Sequence, residues 1–304
     1  MRASGTRVCY SAHMLGINII GAGKLGRTLG RLWAQHGVFA IRDVLTAHAA
    51  SAAQAVEFIG AGRPAASLSA LRAARVWMLT PPDTHIGDIC KSLAASRLIR
   101  AGDIVFHCSG SQAASELAAV ARCGAQAASV HPVKSIADPA RAAQTFAGTW
   151  CGAEGDAAAL AVLKPAFAAI GARLFDIDPA SKTIYHAASV IACNYLPALV
   201  ESAVQCYEKA GLERMTAVQI MEPLMRETLD NIFRLGTGAA LTGPIARGDV
   251  AVVAGQAAAL TAWNPGIAAI YRAFGAAALE LARTQGTLEH EAYAALARAL
   301  ASAD

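Results

Sequence analysis

The stretch Ile17-Asn18-Ile19-Ile20-Gly21-Ala22-Gly23-Lys24-Leu25-Gly26-Arg27-Thr28-Leu29-Gly30 runs from an apolar segment through Gly-x-Gly-x-x-Gly into a helical pattern. The apolar run has the length of a buried parallel strand. In this setting Gly21 permits the tight turn, Gly23 lets the backbone approach a pyrophosphate, and Gly26 lets the following helix pack on the strand. The first amides of that helix are unpaired, and its dipole favours an anion there. A lone glycine fingerprint says little. Between a strand and a helix, at the head of an α/β pattern, it predicts dinucleotide binding by Gly21, Ala22, Gly23, Lys24, Leu25 and Gly26, against a βα turn that holds no ligand.

Strand-like and helical runs alternate outward from this turn. Strands are expected at 15–20, 41–46, 76–79, 103–107 and 127–130, with helices at 24–36, 49–59, 84–95 and 113–121. Two more strands, 149–152 and 173–176, flank a helix at 156–170. This order implies a mostly parallel, doubly wound sheet with helices on both faces, an α/β Rossmann domain. After Pro179 no convincing strand occurs. Helical patterns fill 181–210, 216–234, 250–261 and 265–285, with a short tail helix after Thr287. The expected organisation is therefore a disordered extension or upstream start at 1–13, a dinucleotide-binding domain at 14–178 and an all-α domain at 179–304. Such an arrangement predicts a cleft where the domains meet, at the carboxyl ends of the strands.

Composition narrows the classes. Of 304 residues, 55% are apolar and 16% charged, so the chain can bury a large core and is not a disordered segment. The net charge of +4 is spread without a basic block, which argues against a nucleic-acid surface. The seven cysteines show no C-x-x-C spacing and read as thiols in a reducing, cytoplasmic compartment, and no metal site is expected. No uninterrupted apolar run of about 18 residues stands out, so no membrane span is expected.

The cofactor can be narrowed as well. NAD binders carry a carboxylate about 20 residues past the fingerprint. Here that place reads Thr46-Ala47-His48, and Asp43 falls earlier, within the strand. A hydroxyl at Thr46 and a partly cationic His48 tolerate a 2′-phosphate better than an acid would, so NADP is preferred to NAD, although the usual arginine is missing. Lys24 adds positive charge near the phosphates. His48 reads equally as a solvated loop residue.

Several strand ends aim at the same crevice. Thr80-Pro81-Pro82-Asp83 forms a rigid loop suited to the nicotinamide side, with Asp83 as cap of the next helix. His107-Cys108-Ser109-Gly110-Ser111 offers small residues and hydroxyls, and Ser111 could cap the helix after it. His131, at the end of the fifth strand, is placed for proton transfer. Lys134 reads as a substrate-acid ligand or as a solvated cation. His186 and Asn194 lie eight apart in a helical segment that Pro197 is expected to kink. They read as a ligand pair or as a buried, satisfied pair. Arg247, in Leu241-Thr242-Gly243-Pro244-Ile245-Ala246-Arg247-Gly248-Asp249, could clamp a carboxylate or bridge subunits.

Taken together, the glycine turn, Thr80-Pro81-Pro82-Asp83, His107-Cys108-Ser109-Gly110, His131-Pro132 with Asp138-Pro139, Tyr185-His186-Ala187-Ala188 through Asn194-Tyr195-Leu196, and the segment ending at Asp249 resemble a known family over about residues 14–284. Its members join a Rossmann-like domain to a helical domain of unassigned function and are usually described as NADP-dependent oxidoreductases. The architecture is similar to pyrroline-5-carboxylate reductase, ketopantoate reductase and prephenate dehydrogenase. In prephenate dehydrogenases a His-Pro after a strand carries catalytic work, and His131-Pro132 occupies a similar place. Their Ser-His-Leu-Pro-His segment reads Asn194-Tyr195-Leu196-Pro197-Ala198 here, which argues against prephenate. In ketopantoate reductases a lysine precedes an asparagine by eight positions, and His186 stands in the lysine's place.

The resulting expectation is an NADP-dependent oxidoreductase acting on a small, acidic carbonyl, imine or hydroxy substrate. His131, His186, Asn194 and Ser109 would be catalytic, Thr46, His48, Thr80, Pro81 and the glycine turn would hold the cofactor, and Lys134 and Arg247 would bind substrate. The helical domain would form a homodimer. The rival expectations are a non-catalytic NADP(H) sensor or scaffold, and a reductase pairing NADP with a deazaflavin.

Overall fold

A computed structural model describes residues 14–286 and 288–301. The extension expected at 1–13 lies outside the described residues. The chain forms two compact units, the first ending at Tyr195 and the second beginning at Leu196.

The first unit is built on one eight-stranded sheet. Its strands are β1 (Gly16–Ile20), β2 (Ala40–Leu45), β3 (Arg63–Ala65), β4 (Val76–Leu79), β5 (Ile104–His107), β6 (Gln126–Pro132), β7 (Trp150–Gly155) and β8 (Arg173–Asp176), in the order β3-β2-β1-β4-β5-β6-β7-β8. All neighbours are parallel except β6 and β7. Strand order reverses between β1 and β4, the switch point at which such sheets open a crevice. Helices α1 (Lys24–His36), α2 (Ala49–Ile59), α3 (Ile86–Ala95), α4 (Ala118–Ala121), α5 (Pro139–Gln144), α6 (Ala157–Ala168) and α7 (Lys182–Ser189) complete the unit.

Both sheet faces are covered, which is why its strands are apolar throughout rather than alternating. On one face Trp33, Phe39, Phe106 and Phe167 meet edge to face at 5.2–6.3 Å, and the Trp33 indole donates to the Ala166 carbonyl at 3.1 Å. On the other, Trp77, Ile86, Leu93 and Leu117 form a second core. Buried aromatic pairs of this kind add roughly 0.5–1.5 kcal/mol each beyond the area they bury.

The second unit is helical: α8 (Leu196–Lys209), α9 (Arg214–Leu235), α10 (Thr237–Ala240), α11 (Pro244–Arg247), α12 (Val250–Trp263), α13 (Pro265–Gln285) and α14 (His290–Leu300). Asn264 caps α13 by accepting from the amides of Gly266 and Ile267 at 3.0 and 3.2 Å, with Pro265 at the first helical position. The core is split into two small groups, Val204 with Ala217 and Met221, and Val253 with Leu279, Leu296 and Leu300. Large apolar side chains stay exposed along α9, among them Met215, Leu224 and Phe233.

Helix α7 belongs to the first compact unit, because Lys182 and Tyr185 hydrogen-bond to Ser109, Ser129 and His131 of that unit. The kink expected from Pro197 takes the form of a π-helical turn at Val190–Asn194, where the Tyr195 amide reaches back five residues to the Val190 carbonyl at 3.0 Å. Among the described residues one helical stretch, Pro179–Lys209, is long and apolar enough to cross a membrane by length and composition. An unbroken apolar run is absent there because Thr183, Tyr185, His186, Ser189 and Asn194 interrupt the apolar residues, although no Asp, Glu, Lys or Arg occurs between Lys182 and Glu201.

Candidate active site

Three glycines shape the turn after β1, each differently. Gly21 has φ +86°, and a Cβ there would stand 2.3 Å from the Pro81 nitrogen. A Cβ on Gly26 would meet the Thr80 hydroxyl at 2.4 Å, and that hydroxyl donates to the Gly21 carbonyl at 2.6 Å. A Cβ on Gly23 would meet nothing within 4 Å. Two glycines are thus required by the protein's own packing. The third borders open space where another molecule can approach the backbone, and this fits a pyrophosphate.

That space is a crevice of about 760 Å³ at the carboxyl ends of β1, β2 and β4. Gly21, Ala22, Gly23, Thr46, His48, Thr80 and Pro81 line it. Lys24 and Leu25 do not: Lys24 is the exposed first residue of α1, and Leu25 packs against the core. Arg27, which the fingerprint reading passed over, lines the crevice and donates to the Ala22 carbonyl at 3.3 Å. Ser51, in the first turn of α2, lines it too, and no side chain caps that helix.

The carboxylate of β2 is unavailable to a ribose. Asp43 is fully buried, accepting from the Arg72 amide at 2.6 Å, from the Arg72 guanidinium at 2.8 Å and from Arg63 at 3.1 Å. Burial alone would raise its carboxyl. Bonds from Arg72, with Arg63, outweigh that and hold it below the usual range.

A second polar centre lies at the carboxyl ends of β5 and β6. Gly110 sits between two imidazoles: a Cβ there would stand 2.4 Å from Nδ1 of His186 and 2.9 Å from Nε2 of His131. The rings meet edge to face at 5.6 Å. Nδ1 of His186 is buried without a hydrogen-bond partner. Nδ1 of His131 lies 2.9 Å from the Tyr185 hydroxyl. Burial, reinforced by His186 and Lys182, pushes His131 down to about 4, so its ring is neutral at pH 7.

Beneath the histidines runs a buried network. Lys182 is 1% exposed and donates to the Ser129 hydroxyl at 2.5 Å and to the Ser109 carbonyl at 3.1 Å, with Glu154 Oε1 at 3.6 Å. Burial lowers its ammonium, partly offset by Glu154. One amine thus joins the 109–110 loop, the strand that carries His131 and the helix that carries His186. His107 is fully buried. Its Nδ1 accepts from the Ser109 amide at 3.1 Å, so its Nε2 carries the hydrogen donated to the Ala113 carbonyl at 3.0 Å.

Other expectations are corrected. Asp83 does not cap a helix, because its carboxylate accepts from the hydroxyls of Ser109 at 2.6 Å and Ser111 at 3.1 Å. For the same reason Ser111 does not cap the next helix. The Ser109 hydroxyl also accepts from the amides of Ser111 and Gln112, so it is committed to shaping the loop. Asn194 is exposed at the end of the π-helical turn and shares no hydrogen bond with His186 among the described residues, since α-helical spacing does not carry through that turn. The Lys134 ammonium donates to the Thr145 carbonyl at 2.8 Å, and Arg247, in the helical unit, pairs with Asp249 at 2.8 Å. Among the described cysteines Cys90, Cys108 and Cys151 are buried thiols, whereas Cys123 and Cys193 are exposed. No cluster of metal-ligating side chains occurs among the described residues. Sequence reading missed Lys182, Tyr185 and Arg27. The first two precede His186 by four and one residues, and the i to i+4 spacing was the available signal.

The chain matches the Rossmann-like domain over residues 2–132 and the domain of unknown function DUF2520 over residues 149–278. It is similar in structure to protein TM1727 from Thermotoga maritima, with a TM-score of 0.68 at 25% identity over 89% of this chain and 99% of that one. The proposed NADP oxidoreductase BF3122 from Bacteroides fragilis superposes with a TM-score of 0.71 at 20% identity, over 88% and 98% of the two chains. An imine reductase from a Pseudomonas species does so with 0.62 at 18% identity, over 95% and 100%. These last two likenesses are of fold. No curated protein matches the chain.

Proposed function

We propose that this protein is an NADP-dependent oxidoreductase that moves a hydride between nicotinamide and a small carbonyl, imine or hydroxy substrate. The observation that carries the reading is Gly23, a fingerprint glycine whose missing side chain would touch no protein atom and which borders the 760 Å³ crevice. Gly21, Ala22 and Gly23, with the amides opening α1, would hold the pyrophosphate, and Arg27 would add charge. NADP is favoured over NAD because Asp43 is consumed by Arg72 and Arg63, while Thr46, His48, Ser51 and the uncapped start of α2 line the far end of the crevice. The cofactor supplies the hydride chemistry. The protein supplies position and, at His131 and His186, groups to bind and exchange the substrate's proton. Lys134, on the loop after β6, would bind an acidic group of the substrate on leaving the Thr145 carbonyl.

Calorimetric titration with NADPH and NADH tests the cofactor. NADPH binding more tightly is the expected result, and no heat with either nucleotide refutes the proposal. Turnover on 2-oxo acids, cyclic imines and hydroxy acids tests the chemistry, and undiminished rates in a His131→Ala, His186→Ala protein would refute the site. The exposed apolar side chains of α9 suit a second copy of the chain, a homodimer that sedimentation would reveal.

A further inference from the structure

We infer that Tyr185 is a positioning residue that fixes His131 as the Nε2–H tautomer, so that His131 meets the substrate as a hydrogen-bond donor and leaves the proton exchange to His186. This rests on the reading above, in which the two histidines face the reacting group. The Tyr185 hydroxyl lies 2.9 Å from His131 Nδ1, and among the described residues it has no other hydrogen-bond partner. Burial pushes the hydroxyl up to about 12, so it keeps its proton at neutral pH. One hydrogen occupies the O···N line. A phenol is a stronger acid than a neutral imidazole N–H, and an imidazole lone pair is a stronger base than a phenol oxygen. The arrangement O–H···Nδ1 follows, which places the ring's own hydrogen on Nε2.

The surroundings are built for this contact. Gly152 pairs with His131 across the antiparallel β6–β7 ladder. A Cβ at 152 would stand 3.1 Å from the Tyr185 hydroxyl and 3.2 Å from Cζ of Phe175. The absent side chain therefore admits the phenol above the strand, and Phe175 braces its ring at 5.9 Å. Nε2 of His131 bonds to no protein group among the described residues and is not one of the buried, orphaned atoms, so it opens beside Gly110. A neutral donor held there can polarise a carbonyl oxygen or an imine nitrogen in the manner of an oxyanion hole, without giving up its proton.

The test is a long-range proton–nitrogen correlation spectrum of the full chain labelled with ¹⁵N-histidine, which reports the nitrogen that carries the hydrogen. A His131→Asn protein assigns the signals. The expected result is His131 predominantly protonated on Nε2 in the wild type. In Tyr185→Phe the tautomer ratio should fall about fivefold, the factor that one ordinary hydrogen bond supplies. Gly152→Ala keeps every polar group, crowds the hydroxyl and should shift the ratio the same way. Hydrogen on Nδ1 in the wild type would overturn the assignment, as would an unchanged ratio in Tyr185→Phe. If neither variant folds, the wild-type spectrum decides. The readout needs neither nucleotide nor turnover, so its failure is separable from failure of the oxidoreductase reading.

Discussion

The Lys182 ammonium is 2.5 Å from the Ser129 hydroxyl, two residues before His131 on the same strand, and one helical turn before His186 on its own helix. A single buried cation thus ties together the backbones that carry both histidines. Its partners, the Ser109 carbonyl and Glu154, belong to buried residues.

Removing one member of such a pair leaves the other charge stranded. Lys182→Met should cost about 3–5 kcal/mol of folding stability, measured by urea denaturation. Adding Glu154→Gln, whose amide oxygen can still accept from the Ala114 amide, should restore a substantial part. A double variant no more stable than the single would show that Lys182 and Glu154 are not energetically coupled.

Gly23 and Gly26 separate binding from folding. Gly23→Ala adds a methyl to open space at a backbone conformation any residue adopts (φ −69°), so its melting temperature should stay near that of the wild type. Its NADPH affinity should fall at least about tenfold, because the methyl stands where the pyrophosphate would approach. Gly26→Ala drives a methyl into the Thr80 hydroxyl and should lose about 1–3 kcal/mol in stability. Equal nucleotide affinity in Gly23→Ala and the wild type would contradict the crevice assignment.

The same contrast explains what could be read from sequence. The glycine turn is local: a strand, a tight bend and a helix start announce themselves within 14 residues. Helix limits marked by caps, such as Gly37 after α1 and Asn264-Pro265 before α13, were equally legible. Strand β3 was not, since it has three residues, includes Pro64 and shows no apolar alternation. Helix α5 was passed over although Asp138-Pro139 is a cap followed by an N1 proline, because its six residues carry no amphipathic period. The polar centre was half legible. His131 and His186 stood out as polar residues in apolar runs. Lys182 carries no local signal, since the residues that bury it, Ser109, Ser129 and Glu154, come from separate strands and loops. Asp83 misled for the same reason: a local capping signal lost to two hydroxyls brought in from another loop.

Gly110 gives the sharpest test of the histidine pair. A methyl at this position cannot coexist with both rings where they stand. Gly110→Ala should displace the imidazoles by about an ångström and lower kcat/KM on order of a hundredfold. Binding of NADPH, in a crevice that Gly110 does not line, should change less than about twofold in calorimetry. Parallel losses of binding and turnover would mean that the two centres are not separate.

Acid should destabilise the protein through His107. Burial pushes this imidazole down to about 4, with the Lys182 charge acting in the same direction and Asp83 and the bond to Ala113 opposing. Above pH 6.5 the ring is neutral in both folded and unfolded chains and nothing is lost. Between pH 6.5 and 4 the unfolded chain takes up a proton that the folded chain refuses, so stability declines as pH falls. By pH 4 the loss from this one group is about 3 kcal/mol. His131, depressed to about 4 as well, should add a further decrement over the same window. Urea midpoints measured from pH 7.5 to 4.5 should therefore slope downward toward acid. His107→Asn, whose amide lacks a titrating nitrogen, should reduce that slope even if its stability at pH 7.5 is lower. An unchanged slope in His107→Asn would show that this imidazole gains its proton in the folded state as readily as in the unfolded one.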